Sequence, residues 1–275
     1  MTVLVIKGHR PLGTISFPKK LHPFKRWGCL RLADRFGISL GIGYRESIPA
    51  VERGDVIVAI DVLRCSSSIV TALANGAKGV VPAMSLDGAR RLARIHNAIL
   101  AGERNGMKPN GFKLGNSPLE FKKETVEGQT IVLTTTSGTK AILLGKRAPH
   151  MVVGSLLNLT STARVAHRFA RASKSGVSLV TAGIGGNFSL EDFLCAGALA
   201  DHLVREGGIP DDGCAASIHA YRQVRSDLHS AIGKGVHAKY LQSIGLTKDV
   251  AYSTRVNLFN IAAVYQTDRI VTVAP

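Results

Sequence analysis

From about residue 37 onward, short β-branched runs alternate with longer stretches whose apolar residues recur at helical spacing. Residues 38–42, 56–60, 79–82, 130–134, 151–154, 177–181 and 270–273 read as strands. Most are apolar at nearly every position, the pattern of strands buried on both faces. Helical periodicity covers 67–75, 86–96, 137–145, 161–172, 190–206 and 212–231. This alternation predicts an α/β fold, a three-layer α/β/α domain around a mostly parallel or mixed central sheet.

Two stretches repeat one pattern. Residues 56–60 lead through a serine-rich turn into a helix and then to 79–81. Residues 130–134 lead through a threonine-rich turn into a helix ending near Gly145, and then to 151–153. This is either the ordinary likeness of α/β units or a duplication that sets two anion-binding turns side by side. A duplication implies two similar subdomains, divided near residue 125.

The chain has 275 residues, 45% of them hydrophobic, which excludes a mainly disordered protein. No apolar run reaches the roughly 20 residues of a bilayer-spanning helix. Lys and Arg number 35 against 19 Asp and Glu, a net charge of +16. Residues 1–35 carry eight of those cations (Lys7, Arg10, Lys19, Lys20, Lys25, Arg26, Arg31, Arg35) and one acid, Asp34. Pro11, Gly13, Pro18 and Pro23 would break a transit-peptide helix, so this segment is expected to be an irregular basic extension preceding a domain over 36–275. The opening apolar run is too short for a signal-peptide core, and Cys29, Cys65, Cys195 and Cys214 form no Cys-x-x-Cys pair. A reduced, cytoplasmic protein is the expectation.

In open α/β sheets, ligands bind at loops leaving the carboxyl ends of strands. The loop after 56–60 reads Asp61-Val62-Leu63-Arg64-Cys65-Ser66-Ser67-Ser68. Its carboxylate can hold a divalent cation, and Arg64 offers a planar donor fork to phosphate or sulfonate. The serines can cap a helix whose free N–H groups favour an anion. The plainer reading is a turn aspartate and a serine N-cap. In Gly102-Glu103-Arg104, Glu103 is a candidate metal ligand or base and Arg104 a second anion contact, unless the pair is a solvated turn.

Ser117, Pro118 and Glu120 spell a helix start with a capping box, which leaves Asn116 as a candidate ligand contact. In Thr134-Thr135-Thr136-Ser137-Gly138-Thr139, five hydroxyls follow a strand and open a helix. That arrangement suits a phosphate, or else is a threonine-rich capped turn. The glycines of 183–186 do not make a dinucleotide fingerprint, because the third spaced glycine and the later acid are missing. Ser189 with Asp192 reads as a capping box, and Glu191 or Asp192 is a further carboxylate for Mg²⁺ beside Asp61.

Other signals fail. Cys29 and Arg35 have the spacing of a cysteine-phosphatase loop but enclose no glycine. A Walker A lysine loop, an Asp-x-Asp pair and a His-x₃-His zinc pair are all missing. His96, His167, His202 and His219 read as ordinary helix-face residues.

Taken in order, these loops resemble the 2-phosphosulfolactate phosphatase (ComB-like) family. The resemblance rests on 61–73, Gly102-Glu103-Arg104, Gly111-Phe112, 115–118, 134–139, Asn158, Ala182-Gly183, 189–192, and the closing Tyr240–Leu246 stretch with Lys248-Asp249. It spans roughly 37–275. The family commonly has Ala at the position of Cys65 and Asn at that of Ser137. The resemblance implies a Mg²⁺-dependent phosphomonoesterase that converts 2-phospho-3-sulfolactate to 3-sulfolactate and phosphate, a step toward coenzyme M, in a homodimer. On that reading Asp61, with Glu103 or Asp192, holds the ion. Arg64 and Arg104 bind acidic groups, and Ser67, Asn116, Thr135, Ser137 and Thr139 contact substrate. Asp61, Arg64 and Glu103 form the catalytic set. The competing readings are a phosphatase or sensor for another small phosphorylated acid, and a nucleic-acid binder using residues 1–35. The second has only Phe17, Phe24 and Trp27 for base stacking and no recognisable module in its body.

Overall fold

The computed structural model describes residues 2–7, 10–16 and 35–275. The chain divides into two units, Met1–Asp34 and Arg35–Pro275. In the first, β1 (Thr2–Lys7) pairs antiparallel with β2 (Arg10–Ser16). This part of the basic extension is therefore a hairpin, not the irregular chain expected from its prolines. The β-branched positions of 3–6 favour a strand, and Pro11 sits where the register shifts between Val5 and Ile6, a place that tolerates proline. Phe17, Phe24, Trp27 and Cys29 lie outside the described residues.

The second unit holds a ten-stranded sheet. Its strands are β3 (Phe36–Ile42), β4 (Val56–Ile60), β5 (Gly79–Pro82), β6 (Ile99–Gly102), β7 (Thr130–Thr134), β8 (Met151–Gly154), β9 (Val177–Thr181), β10 (Gly208–Pro210), β11 (Ala262–Gln266) and β12 (Arg269–Val273). Their order is β10-β3-β9-β4-β8-β11-β12-β5-β7-β6. The first four joints and the last two are parallel. The three around the β11–β12 hairpin are antiparallel.

The helices are α1 (Ser47–Arg53), α2 (Cys65–Ala74), α3 (Leu86–Ile95), α4 (Lys123–Val126), α5 (Gly138–Gly145), α6 (Leu159–Ser173), α7 (Leu190–Arg205), α8 (Asp212–Val224), α9 (Leu228–Gly233), α10 (Val236–Ser243) and α11 (Thr247–Ser253). Strand β4 shows why the sheet is covered on both sides. Val56, Val58 and Ile60 enter one core with Leu159 and Val165 of α6 and Leu199 of α7. Ile57 and Ala59 point the other way, into a core with Ile69 and Leu73 of α2 and Ile142 of α5. Each such side chain contributes about 1.5–3 kcal/mol when fully buried.

Three strands of the ten-stranded sheet escape the sequence reading: β6, β10 and β11. Strand β10 has three residues including Gly208 and Pro210, and β11 opens with two alanines, so neither shows a β-branched run. The helix expected over 212–231 breaks, because α8 stops at Val224 and the Asp227 side chain starts α9 by accepting from Ser230 N at 3.1 Å.

No subdomain boundary falls near 125, because strands from before and after that point interleave through the sheet. The two repeated units are nonetheless visible. Strand β4 of the first pairs with β8 of the second, and β7 of the second pairs with β5 of the first. Each unit lends a strand to the other, the pattern a local two-fold relation produces, and the first turns of α2 and α5 meet. Among the described residues, no helix is long and apolar enough to cross a membrane.

Candidate active site

The loops leaving β4, β6, β7 and β9, with α7 and α10, line one cavity of about 190 Å³. Its wall includes Asp61, Arg64, Glu103, Asn116, Thr135, Ser137 and Asp192, seven positions singled out from the sequence. A space of this size admits a small molecule, not a polymer.

Asp61 follows β4 directly, and its Oδ1 accepts from Cys65 N, the first amide of α2, at 3.1 Å. Gly138, the first residue of α5, lies so close that an added Cβ would strike Asp61 Oδ2 and the Cys65 side chain. Both helix N-termini, with their positive dipole ends, therefore open at this carboxylate. Burial pushes the Asp61 carboxyl up to about 6; Glu103 and Glu191 add to the rise, while the Cys65 amide and His237 oppose it. Asp192 is also raised, by burial first and then by the charges of Asp61 and Glu191.

The expected cationic pair is only half present. Arg64 is buried on the cavity wall, with Nη1 donating to Asp249 Oδ2 at 2.6 Å and Nη2 to Gly106 O at 2.6 Å. Arg104 does not line the cavity. Its guanidinium donates to Glu103 O at 2.6 Å and to Thr134 Oγ1 at 3.0 Å, fastening the loop after β6 to the end of β7. Four carboxylates (Asp61, Glu103, Glu191, Asp192) share the wall with one guanidinium and His237. The site is thus acid-rich in a chain of net charge +16.

Ser67 and Thr139 are likewise withheld from the cavity. Ser67 Oγ donates to Val62 O at 2.8 Å and pairs with Ser155 Oγ at 3.0 Å, which holds the Asp61 loop. Thr139 locks the threonine turn, its N–H donating to Thr135 Oγ1 at 3.1 Å. Both capping boxes fail to form. Ser117 gives its hydroxyl to Asp249 Oδ1 at 2.7 Å, and Glu120 Oε2 accepts from Gly115 N at 2.9 Å. Ser189 makes no capping bond, and the Asp192 carboxylate is drawn elsewhere: its Oδ1 accepts from Val62 N at 2.8 Å and its Oδ2 from Gly183 N at 3.0 Å. Asp192 clamps the β4 and β9 loops together.

Glu103 has a double role. Its Oε1 accepts from Thr136 N at 2.7 Å and Thr136 Oγ1 at 2.9 Å, and its Oε2 from Gly106 N at 2.9 Å. It lies on the cavity wall, tied to both neighbouring loops. Asn116 keeps Oδ1 buried without a hydrogen-bond partner, as a ligand contact requires. Sequence reasoning missed His237 and gave no individual role to Thr136 and Tyr240, which also line the cavity. His237 stands beside no acid in sequence, and its partner Glu191 is 46 residues away.

The model of the 2-phosphosulpholactate phosphatase family matches residues 43–268. The chain belongs to the 2-phosphosulfolactate phosphatase family. Among curated relatives, a Thermotoga petrophila protein named "Probable 2-phosphosulfolactate phosphatase" is 43% identical over 202 residues, 74% of this chain and 85% of that protein. Proteins of the same name from Thermotoga maritima and Caldicellulosiruptor saccharolyticus are 42% and 35% identical, covering 74% and 77% of this chain and 85% and 89% of their own lengths. Within the family's fold, Cys65 is buried beside Asp61 and its thiol is raised well above the ordinary range, first by burial and then by the Asp61 charge. It acts as a small neutral filler. Ser137 lines the cavity.

The Arg64–Asp249 pair is nearly water-free, with both side chains 3% exposed. Asp249→Ala leaves the guanidinium buried and unpaired, and is expected to destabilise the protein by about 3–5 kcal/mol. Urea denaturation measures this. A loss under about 1 kcal/mol would show that the pair is not held as described.

Proposed function

We propose that this chain is a Mg²⁺-dependent phosphomonoester hydrolase that converts 2-phospho-3-sulfolactate to 3-sulfolactate and phosphate, the reaction type that leads to coenzyme M. The observation that carries this reading is the convergence of the family's separate motifs, Asp61-Arg64, Glu103, Asn116 and Thr135–Ser137, on one small cavity at two helix N-termini.

Among the described residues, no group of three His, Cys, Asp or Glu side chains is arranged to hold a metal ion. A closed three-ligand cage is therefore absent among the described residues, and the expectation of Asp61 with Glu103 or Asp192 needs only two carboxylates. Asp192 is spent on two backbone amides. Mg²⁺ needs less, taking one or two carboxylates and filling its octahedron with water and substrate oxygen. Asp61 is a hard oxygen donor on the wall, its carboxyl raised chiefly by burial, and among the described residues only its Oδ1 accepts a hydrogen bond from the protein. Asp61 would hold the ion, with Glu103 or Asp192 giving up an amide bond to join it. Bound there, Mg²⁺ supplies positive charge to phosphate oxygens in a site whose own wall is mostly acidic.

The chain's residues supply the rest. The positive ends of α2 and α5 favour the phosphate, and the hydroxyls of Thr135 and Ser137 face it as donors. Arg64 presents its remaining donors to a carboxylate or sulfonate, and Asn116 adds a polar contact. The Asp192 and Glu103 clamps keep these loops in register.

Phosphate release from 2-phospho-3-sulfolactate, with added Mg²⁺ and with EDTA, tests the proposal. Release that EDTA abolishes is expected, whereas release indifferent to EDTA would overturn the metal assignment. A second reading, another small phosphorylated acid as substrate, is favoured by the single cavity guanidinium. It predicts faster release from a monocarboxylic phosphoester than from the sulfonate. Binding without turnover of any ester would make the protein a sensor. A homodimer in the cytoplasm is part of the proposal, and sedimentation at micromolar concentration tests the dimer.

A further inference from the structure

Hydrolysis of an alkyl phosphate ends in an alkoxide, a poor leaving group unless it is protonated as the P–O bond breaks. The cavity wall offers few groups able to give that proton. Arg64 does not deprotonate. Asp192 and Glu103 each use both oxygens to accept hydrogen bonds from amides or hydroxyls, a role that a protonated oxygen gives up. Serine and threonine hydroxyls are too weakly acidic, Asp61 is assigned to the ion as a carboxylate, Glu191 faces the His237 ring through Oε1, and Tyr240 gives its hydroxyl proton to Asn105 O. His237 remains.

His237 is the second residue of α10, which is anchored by the buried Ala238 and Leu241 and tied across the cavity mouth by Tyr240 Oη donating to Asn105 O at 2.9 Å. His237, Tyr240 and Leu241, spaced at helical intervals, turn one face to the cavity. His237 Nδ1 lies 2.9 Å from Glu191 Oε1, and no protein group is bonded to Nε2 among the described residues. Glu191 is 1% exposed, so the ring is oriented at Nδ1 by a buried carboxylate. Burial pulls the imidazole down, but the hydrogen bond and charge of Glu191, together with Asp61 and Asp192, more than offset it.

We infer that His237 is the general acid of this site, delivering the Nε2 proton to the ester oxygen of the leaving alcohol while Glu191 holds the ring through Nδ1. The inference rests on the phosphomonoesterase reading. In the step, water adds to phosphorus and the ester P–O bond breaks with its electron pair on the substrate oxygen. That oxygen takes the histidine proton and leaves as the alcohol. Both water protons depart with the product as dihydrogen phosphate, and neutral His237 regains a proton from solvent.

The test compares leaving groups. For wild type and His237→Gln, kcat and KM are measured with 2-phospho-3-sulfolactate, whose alcohol is a poor leaving group, and with p-nitrophenyl phosphate, whose phenolate leaves unaided. The variant is expected to lose about 10²–10⁴-fold in kcat on the alkyl ester with KM within a few-fold, and under tenfold on the nitrophenyl ester. Equal losses on both esters, or none on the alkyl ester, would overturn the assignment. Should the variant not fold, wild-type rates over a series of substituted aryl phosphates decide the matter. A shallow dependence on leaving-group pKa supports protonation by the enzyme, and a steep one refutes it. Wild type that hydrolyses aryl esters but not 2-phospho-3-sulfolactate would overturn the substrate alone, leaving the slope to judge His237. Release from no ester at all would end both readings.

Discussion

Asp61→Asn is expected to abolish phosphate release, by about 10³-fold or more, while making the metal-free protein more stable at neutral pH. The two effects have one cause. Asp61 is held in a buried, acid-lined hollow that pushes its carboxyl up to about 6 from the ordinary 3.8. A group whose folded-state pKa is raised contributes stability that is fully present below the unfolded value. That contribution is lost as pH climbs through the folded value, here between about 4 and 6. The two-unit rise corresponds to about 3 kcal/mol, an upper bound because Asp61 is partly open to the cavity.

Asparagine removes the charge, and its Oδ1 can still accept from the Cys65 amide, so the start of α2 survives. Urea denaturation in EDTA should show wild type weakening from pH 4 to 7 and the variant staying level. Added Mg²⁺ should restore wild type at pH 7 and do little at pH 4. A variant with a tenth or more of wild-type activity would remove Asp61 from the centre of the site. A variant weaker than wild type at pH 7 in EDTA would show that the carboxylate is stabilised, not strained, by its surroundings.

Gly138→Ala carries the second large effect. The backbone at Gly138 is not left-handed; the constraint is space. A methyl group there would stand against Asp61 Oδ2 and 2.5 Å from Cys65 Cβ, and Cys65 is 1% exposed in the core. Neither neighbour can retreat, since the Cys65 side chain is packed and Asp61 is fixed by the helix amide. Overpacking of this kind costs about 1–3 kcal/mol. The displaced carboxylate should lower kcat by about 10²-fold, because misplacement by an ångström is enough. Thermal melting and phosphate release measure the two. A variant with wild-type kcat and melting temperature would mean that the starts of α2 and α5 do not meet at Asp61.

Much of the frame was legible in the linear pattern. Strands β4, β5, β7, β8 and β9 coincide with the apolar runs, because a strand buried on both faces has little choice of residue. Strands β10 and β11 were not, since a short edge strand and an alanine-rich one owe their pairing to neighbours. At the site, Asp61, Arg64, Glu103, Asn116, Thr135 and Ser137 were found because a loop after a buried strand is a recognisable place and their residue types match anion or cation chemistry. Capping logic misled at Ser117 and Ser189. Local hydrogen bonding favours the cap, but Asp249 and the Val62 and Gly183 amides offered better partners from far along the chain.

What the amino-acid order alone determined is the layered α/β class, the hydroxyl-rich turns and the acid at the end of β4, all of which depend on neighbours within a few positions. Only the folded chain decided which charged groups face the cavity. Arg104 was turned aside to brace two loops, Arg64 was given to Asp249, and His237 was brought from a distant helix to Glu191. The physical reason is that a buried charge must find its partner wherever the packing puts one, and sequence spacing carries no record of that choice.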